Sequence, residues 1–181
     1  RRFLREARVT ANLCASNTVH LYDFGIDEQN GTYYYVMELL QGTNVGDFVR
    51  RFGPMVAERV TMMLCQACHS LAEAHDAGLV HRDIKPDNLF ISKLGIERDV
   101  LKVLDFGIVK ETAVEDGRSG NKDGEGPAGT PGYMAPEVIY DSEDVDGRTD
   151  LYSLGCVAYF MLTAKKVFDA EPLKVMQQHL N

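Results

Sequence analysis

The chain has 181 residues, 45% of them hydrophobic and 25% charged, enough for one domain with a packed core. Its net charge is −8, with 27 acidic against 19 basic side chains, which speaks against a nucleic-acid partner or an anionic membrane face. No run reaches the roughly 18 apolar residues of a membrane span, and the amphipathic start RRFLREARVT is not a secretory signal, so no membrane contact is expected within this segment.

Residues 3–13 place Phe3, Leu4, Ala7 and Ala11 at helical spacing. Residues 19–24 and 32–40 are rich in β-branched and aromatic side chains and read as strands. The Asn-Gly pair in DEQNGT between them reads as a hairpin turn. Tyr33, Tyr34 and Tyr35 are read as strand packing rather than as a stacking platform for bases. Gln41-Gly42-Thr43 reads as a joint.

Residues 56–75 carry Val60, Met63, Leu64, Ala67, Leu71 and Ala74 at helical spacing, with Gly78 as the stop. Cys65 and Cys68 lie inside this run. A lone CxxC without a matching second pair is read as two small helix residues, and the remaining Cys14 and Cys156 suggest no disulfide framework. A reducing, cytoplasmic setting is expected. His20, His69, His75 and His179 show no metal spacing and are read as ordinary.

Residues 89–91 and 101–104 read as short strands. Residues 111–128 are rich in Gly, Asp and Glu, lack large apolar side chains, and are expected to form a mobile loop. Residues 148–163 are apolar nearly all round, which predicts a helix buried in the middle of the domain. The order is helix, two strands, then a mostly helical body. It predicts an α+β chain of two unequal lobes joined near residues 38–44, with a cleft between them for a small molecule.

Three polar constellations interrupt these elements: His81-Arg82-Asp83-Ile84-Lys85-Pro86-Asp87-Asn88, then Asp105-Phe106-Gly107, then GTPGYMAPE at 129–137. Asp83, Asp105 and Asn88 are hard oxygen donors at the ends of short strands, suited to Mg²⁺ alongside phosphate oxygens. Lys85 adds a positive charge two residues from Asp83. A carboxylate and an ammonium on one loop can serve a hydroxyl nucleophile and a phosphoryl group together.

HRDIKPDN, DFG and GTPGYMAPE, in that order, resemble the eukaryotic-like Ser/Thr protein kinases, and their style resembles bacterial signalling kinases. The resemblance runs over nearly the whole chain. It implies a two-lobe kinase fold: a partial N-lobe at 1–40, a hinge at 41–44 and an incomplete C-lobe at 45–181, with an activation segment at 105–137. It implies ATP and Mg²⁺ as cofactors and protein Ser/Thr hydroxyls as substrates, with dimerisation of the full-length protein left open.

Residue by residue, the resemblance makes Asp83 the group that accepts or orients the substrate proton and Lys85 the holder of the γ-phosphate. It makes Asn88 and Asp105 the metal ligands, and Thr130 a link back to Asp83 and Lys85. Glu6 matches the helix glutamate that pairs with an ATP-binding lysine. Met37 matches the gatekeeper. Glu38 and Leu40 offer hinge backbone groups to adenine, Phe90 lies under the ring, and Asn44 or Asp47 touches the ribose. Leu104 and Asp87 complete the nucleotide-facing set. Asp87 alternatively attracts a basic substrate residue.

The resemblance also makes His81 and Phe106 members of a stacked apolar spine. It makes Asp150 the buried acid that anchors the backbone of the His81 loop. The glycine-rich phosphate loop and strand lysine of the family do not occur in this sequence, so the chain is expected to be a fragment with little activity of its own. Glu137 normally pairs with an arginine from a later helix, and is expected to lack that partner here. Arg82 wants an anion, and Asp123 or Glu125 is expected to supply it partly in place of a phosphate. A pseudokinase or ATP-binding scaffold is the competing reading.

Overall fold

The computed structural model describes residues 2–27, 31–106, 130–140 and 145–181. The chain opens with helix α1, Arg2–Ala11, whose inward side carries Ala7 and Thr10, both almost without exposed surface. Strands β1, Leu21–Ile26, and β2, Tyr33–Met37, pair antiparallel from Leu21↔Met37 to Ile26↔Tyr33. Asp27 N–H donates to Thr32 O (2.8 Å) and Gly31 N–H to Asp27 O (2.8 Å), closing the expected hairpin around residues 28–30, which lie outside the described residues. Ala7 and Leu21, with Ala11, Phe24 and Tyr35 against them, form a small core between α1 and this ribbon. Tyr33 and Tyr34 are partly exposed on the ribbon.

A second sheet has three strands in the order β3-β4-β5: Gly42–Asn44, Leu89–Leu94 and Glu97–Val103. Two sequence expectations change here. Gly42–Asn44, read as part of a joint, is a strand paired with Ser92, Ile91 and Phe90. Gly42 sits so close to β4 that a Cβ there would run into the Ile91 carbonyl oxygen, so the residue that looked like a flexible joint is one of close backbone approach. β4 and β5 are also longer than their apolar runs. Their polar outer ends are held by the ladder around a tight turn in which Gly95 takes φ +59°.

The helical body comes next. Helix α2, Val45–Phe52, is capped by the Asn44 side chain, which accepts from Asp47 N–H. Helix α3, Ala57–Asp76, buries Val60, Met63, Ala67, Leu71 and Ala74, and Gly78 turns the chain at φ +74°. Cys65 and Cys68 are exposed on it as free thiols. After a short helix α4, Pro136–Ile139, come α5, Gly147–Thr163, and α6, Pro172–His179. The main core joins α2, α3 and α5 to β4 and β5 through Val49, Met63, Leu71, Leu89, Leu101 and Met161.

Helix α5 departs from its predicted burial. Leu154, Val157 and Met161 are buried, while Leu151, Tyr159 and Leu162 keep 50%, 43% and 44% of their surface. An apolar helix is buried all round only when elements cover both sides. Among the described residues α3 and the turn at Pro131–Tyr133 pack on one side.

Residues 14–20, between α1 and β1, run across the helical body and bond to the end of β5. Glu73 on α3 accepts from Cys14 N–H (2.8 Å) with one carboxylate oxygen and from Ala15 N–H (2.7 Å) with the other. Thr18 and Ser70 share a hydroxyl bond of 2.7 Å, and Val19 N–H donates to Val103 O at 3.0 Å. Replacing Glu73 by Ala should therefore lower the unfolding free energy by about 1–3 kcal/mol, since two backbone donors lose a charged acceptor. Urea titration should show this as a lower midpoint at unchanged slope.

Candidate functional site

Past Gly78 the chain enters the core at Leu79 and emerges as the loop 81–88. Its shape is set from outside by Asp150, in the first turn of α5 and with no exposed surface. Asp150 Oδ1 accepts from Arg82 N–H (2.8 Å), and Oδ2 accepts from His81 N–H (2.8 Å) and His75 Nε2 (2.7 Å). The anchoring of this loop by Asp150 was expected from the resemblance, whereas His75 was read as ordinary. A helix histidine carries no motif that would reveal such a contact. Between these bonds Arg82 takes φ +64°, a conformation that costs a non-glycine residue of order 1 kcal/mol and persists only where its surroundings enforce it.

The His81 ring is fully buried against Phe106, centroids 4.8 Å apart. Its Nε2–H donates to Leu104 O (2.7 Å), which leaves Nδ1 to accept from Asp83 N–H (3.2 Å). That pattern requires a neutral imidazole. Burial accordingly pulls its pKa below 6.5, against the nearby Asp150 and the Leu104 carbonyl.

Asp83, Lys85, Asn88 and Thr130 form one cluster. The Asp83 carboxylate pairs with Lys85 Nζ at 2.9 Å through Oδ2 and accepts from Thr130 Oγ1 at 3.1 Å through Oδ1. Lys85 Nζ also donates to Thr130 Oγ1 at 3.4 Å. Asn88 Nδ2 donates to the Asp83 carbonyl (2.9 Å) and to its Oδ2 (3.3 Å). Asp83 is nearly buried, so its charge acts in a poorly screened environment with every contact pre-set. A turn at Pro86–Asn88 delivers Asn88 to β4, and Leu104 N–H donates to the Asn88 carbonyl (2.9 Å). That bond brings the end of β5 beside the loop and places Asp105 next to it, exposed and at φ +52°.

Asp105 has a partner that sequence reasoning missed. Tyr35 on β2 donates its hydroxyl to Asp105 Oδ1 at 2.7 Å. Burial, then this bond and the Asp105 charge, push the Tyr35 phenol well above its ordinary pKa. The alternation of β2 signals which tyrosine faces inward, but no motif links residue 35 to residue 105.

The remaining nucleotide-facing candidates lie on the segment between the sheets, on the second sheet and at the start of α2. Met37 ends β2 and is 39% exposed; Glu38 and Leu40 are half-buried in residues 38–41, which belong to no element. Phe90 and Leu104 are half-buried on and beside β4. Asn44 and Asp47 hold each other (Nδ2 to Oδ2, 2.8 Å), and Arg50 pairs with Asp47 at 2.7 Å and approaches Asp87 at 3.5 Å. The cation beside Asp87 thus comes from α2 of this chain. Glu6 is half-buried in the middle of α1. Thr112, Ser119, Asp123 and Glu125, including the expected anion for Arg82, lie outside the described residues. Glu137, expected to lack a partner, accepts from Thr149 Oγ1 at 2.7 Å, because the start of α5 lies beside it.

Behind Glu38 lies an ion pair that sequence reasoning also missed. Lys102 Nζ on β5 contacts Glu38 Oε1 at 2.6 Å. The signal was a lysine inside the apolar run 101–104. Burial pushes the Glu38 pKa up, but the Lys102 ammonium and the His20 N–H outweigh it, and the net shift is downward.

The architecture matches a solved structure, Rad53 1-466 in complex with AMP-PNP, with TM-score 0.77 and 28% identity over 98% of this chain and 42% of that one. A two-lobe α+β fold carrying such a loop defines the kinase-like class. The sequence profile of the protein kinase domain matches residues 1–181, and the chain belongs to that family. It is 39% identical over 184 residues to the serine/threonine-protein kinase PknB of Mycobacterium tuberculosis, covering 99% of this chain and 28% of that protein. It is 36% identical over 171 residues to the serine/threonine-protein kinase pkn3 of Myxococcus xanthus, covering 94% and 31%. The chain therefore spans less than a third of the length of these two relatives.

Two outcomes are expected. Asp150→Asn in the intact protein should lower stability by about 2–4 kcal/mol in urea unfolding, because an amide turns a donor toward one of three donors and removes the charge they share. Stability should also fall as pH falls. His81 and Glu38 both have folded pKa values below their ordinary 6.5 and 4.5, so the unfolded chain binds more protons in each interval. The urea midpoint should hold above pH 7, decline as pH falls below His81's ordinary value, and decline further below Glu38's. A midpoint unchanged from pH 7 to pH 4 would contradict both assignments.

Proposed function

We propose that this chain is the catalytic part of a bacterial protein serine/threonine kinase that moves the ATP γ-phosphoryl group to Ser and Thr hydroxyls of protein substrates in signalling. The observation that carries this reading is the shared contact of Lys85 and Thr130 on the Asp83 carboxylate. It holds a base and a cation a few ångströms apart, the arrangement that in-line phosphoryl transfer requires. The kinase names of the relatives support the same reading.

In the reaction Asp83 accepts the proton of the attacking hydroxyl as its oxygen bonds to phosphorus and the β–γ bridging bond breaks. Lys85 offsets charge on the transferred group. Thr130 donates to Asp83 while accepting from Lys85, and so fixes the relative orientation of the two. His81 and Asp150 hold the loop and contact no reacting atom.

The donor set fits Mg²⁺. Asn88 commits its amide nitrogen to Asp83, which turns its oxygen the other way, and Asp105 presents an exposed carboxylate nearby in the chain path. When bound, the cation would neutralise phosphate charge. The backbone of residues 38–40, with Phe90 beneath, would receive the purine; Asn44 or Asp47 would meet the ribose. The pseudokinase reading asks for a broken constellation, and no contact among the described residues favours it. Protein substrates, a cytoplasmic catalytic domain and dimerisation of the whole protein belong to the same proposal.

The test is phosphate transfer by the full-length protein with Mg-ATP. Asp83→Asn should lower kcat by about 10²–10⁴-fold with a smaller change in KM for ATP, since a general base is lost and the nucleotide contacts remain. Equal incorporation by variant and wild type would overturn the assignment.

A further inference from the structure

The Glu38–Lys102 pair stands apart from the phosphoryl-transfer cluster and is built more tightly than a surface ion pair. The side chains of Lys102 and Glu38 keep only 9% and 18% of their surface. Lys102 Nζ lies 2.6 Å from Glu38 Oε1 and 3.2 Å from the Thr18 carbonyl. The same Glu38 oxygen accepts from His20 N–H at 2.9 Å, and Glu38 N–H donates back to His20 O at 3.0 Å. Glu38 is thus held by main chain and side chain together, at the first residue after β2. Lys102 is also the register partner of Phe90 across β4 and β5, so its side chain leaves the sheet on the same face as Phe90.

A buried ion pair is a poor device for stability alone, because well-packed apolar groups of similar size often do as well or better. Such pairs are better suited to fixing one geometry. We infer that Lys102 is a positioning residue for nucleotide recognition: through Glu38 it fixes the main chain of residues 38–40 relative to Phe90, so that the hinge peptide groups and the floor meet one purine plane. The inference rests on the kinase reading and assigns Lys102 a role within it. The Lys102 ammonium bonds to Glu38 and the Thr18 carbonyl, apart from the cluster around Asp83.

The experiment uses the full-length protein, with ADP binding followed by calorimetry and ATP kinetics on a peptide substrate. Lys102→Met should raise the ADP Kd and the ATP KM by about tenfold while kcat changes much less, the pattern of lost ground-state binding. Lys102→Arg should restore most of the affinity, since its cation can still reach Glu38. Glu38→Gln, close to isosteric, should weaken ADP similarly, and the double variant should be no weaker than either single one, because both changes break one contact. A folded Lys102→Met protein with ADP Kd within twofold of wild type overturns the inference, as does a fall in kcat at unchanged KM. If Lys102→Met fails to fold, Glu38→Gln decides by the same criterion. Wild-type protein that binds ADP yet transfers no phosphate overturns the kinase reading, while the ADP comparison still decides the role of Lys102. Wild-type protein that neither binds nor transfers overturns both.

Discussion

A single carboxylate without exposed surface shapes the loop 81–88. Asp150 projects from α5 and gathers the N–H groups of His81 and Arg82 together with the ring of His75. The loop backbone at Arg82 is in a conformation that residues other than glycine rarely take, and two of these bonds hold the peptide groups leading into it. Because α5 is rigid and apolar, the position of Asp150 is set by packing of Leu154, Val157 and Met161, and the loop inherits that precision. The rest of the loop depends on it. His81 can satisfy both ring nitrogens only in this geometry, and Asp83 meets Lys85, Asn88 and Thr130 only when the turn at residues 86–88 starts from the right place.

The site is assembled from segments distant in sequence by a ladder of backbone bonds and the Lys102 side chain. Leu104 bonds to Asn88, Val103 to Val19 and Asn17, and Lys102 to Glu38 and Thr18. β5 is therefore the spine on which three pieces meet: the loop of Asp83, the strand leaving β2, and Asp105. Electrostatics supports the same division. Lys85 and Thr130 gather on the Asp83 carboxylate, while Glu38 and Lys102 neutralise each other in a separate pair.

Where sequence and structure differ, the reason lies in tertiary contact. Gly42 looked like a joint because glycine permits bending, yet its absent side chain serves close approach to Ile91. The outer end of β5, Glu97-Arg98-Asp99, is polar, and polarity conceals a strand whose partner is supplied by the ladder. Helix α5 reads as buried on every side, although burial depends on what covers it. Glu137 was expected to lack its arginine, and the Thr149 hydroxyl donates to it without supplying a counter-charge.

The sequence by itself determined the family and singled out the residues on which the proposed chemistry rests. Asp83, Lys85, Asn88 and Asp105 sit in short contiguous motifs whose local spacing carries their meaning, and the periodicity of residues 56–75 was enough to place α3. Even the link from Thr130 back to Asp83 and Lys85 was legible through resemblance. The tertiary structure alone decided which residues pack and bond behind those motifs. Tyr35 and Asp105, His75 and Asp150, and Glu38 and Lys102 are each separated by 64 to 75 positions along the chain. No local pattern records such pairings, because they arise only when distant elements pack and a buried charge or hydroxyl takes the partner that lies within reach.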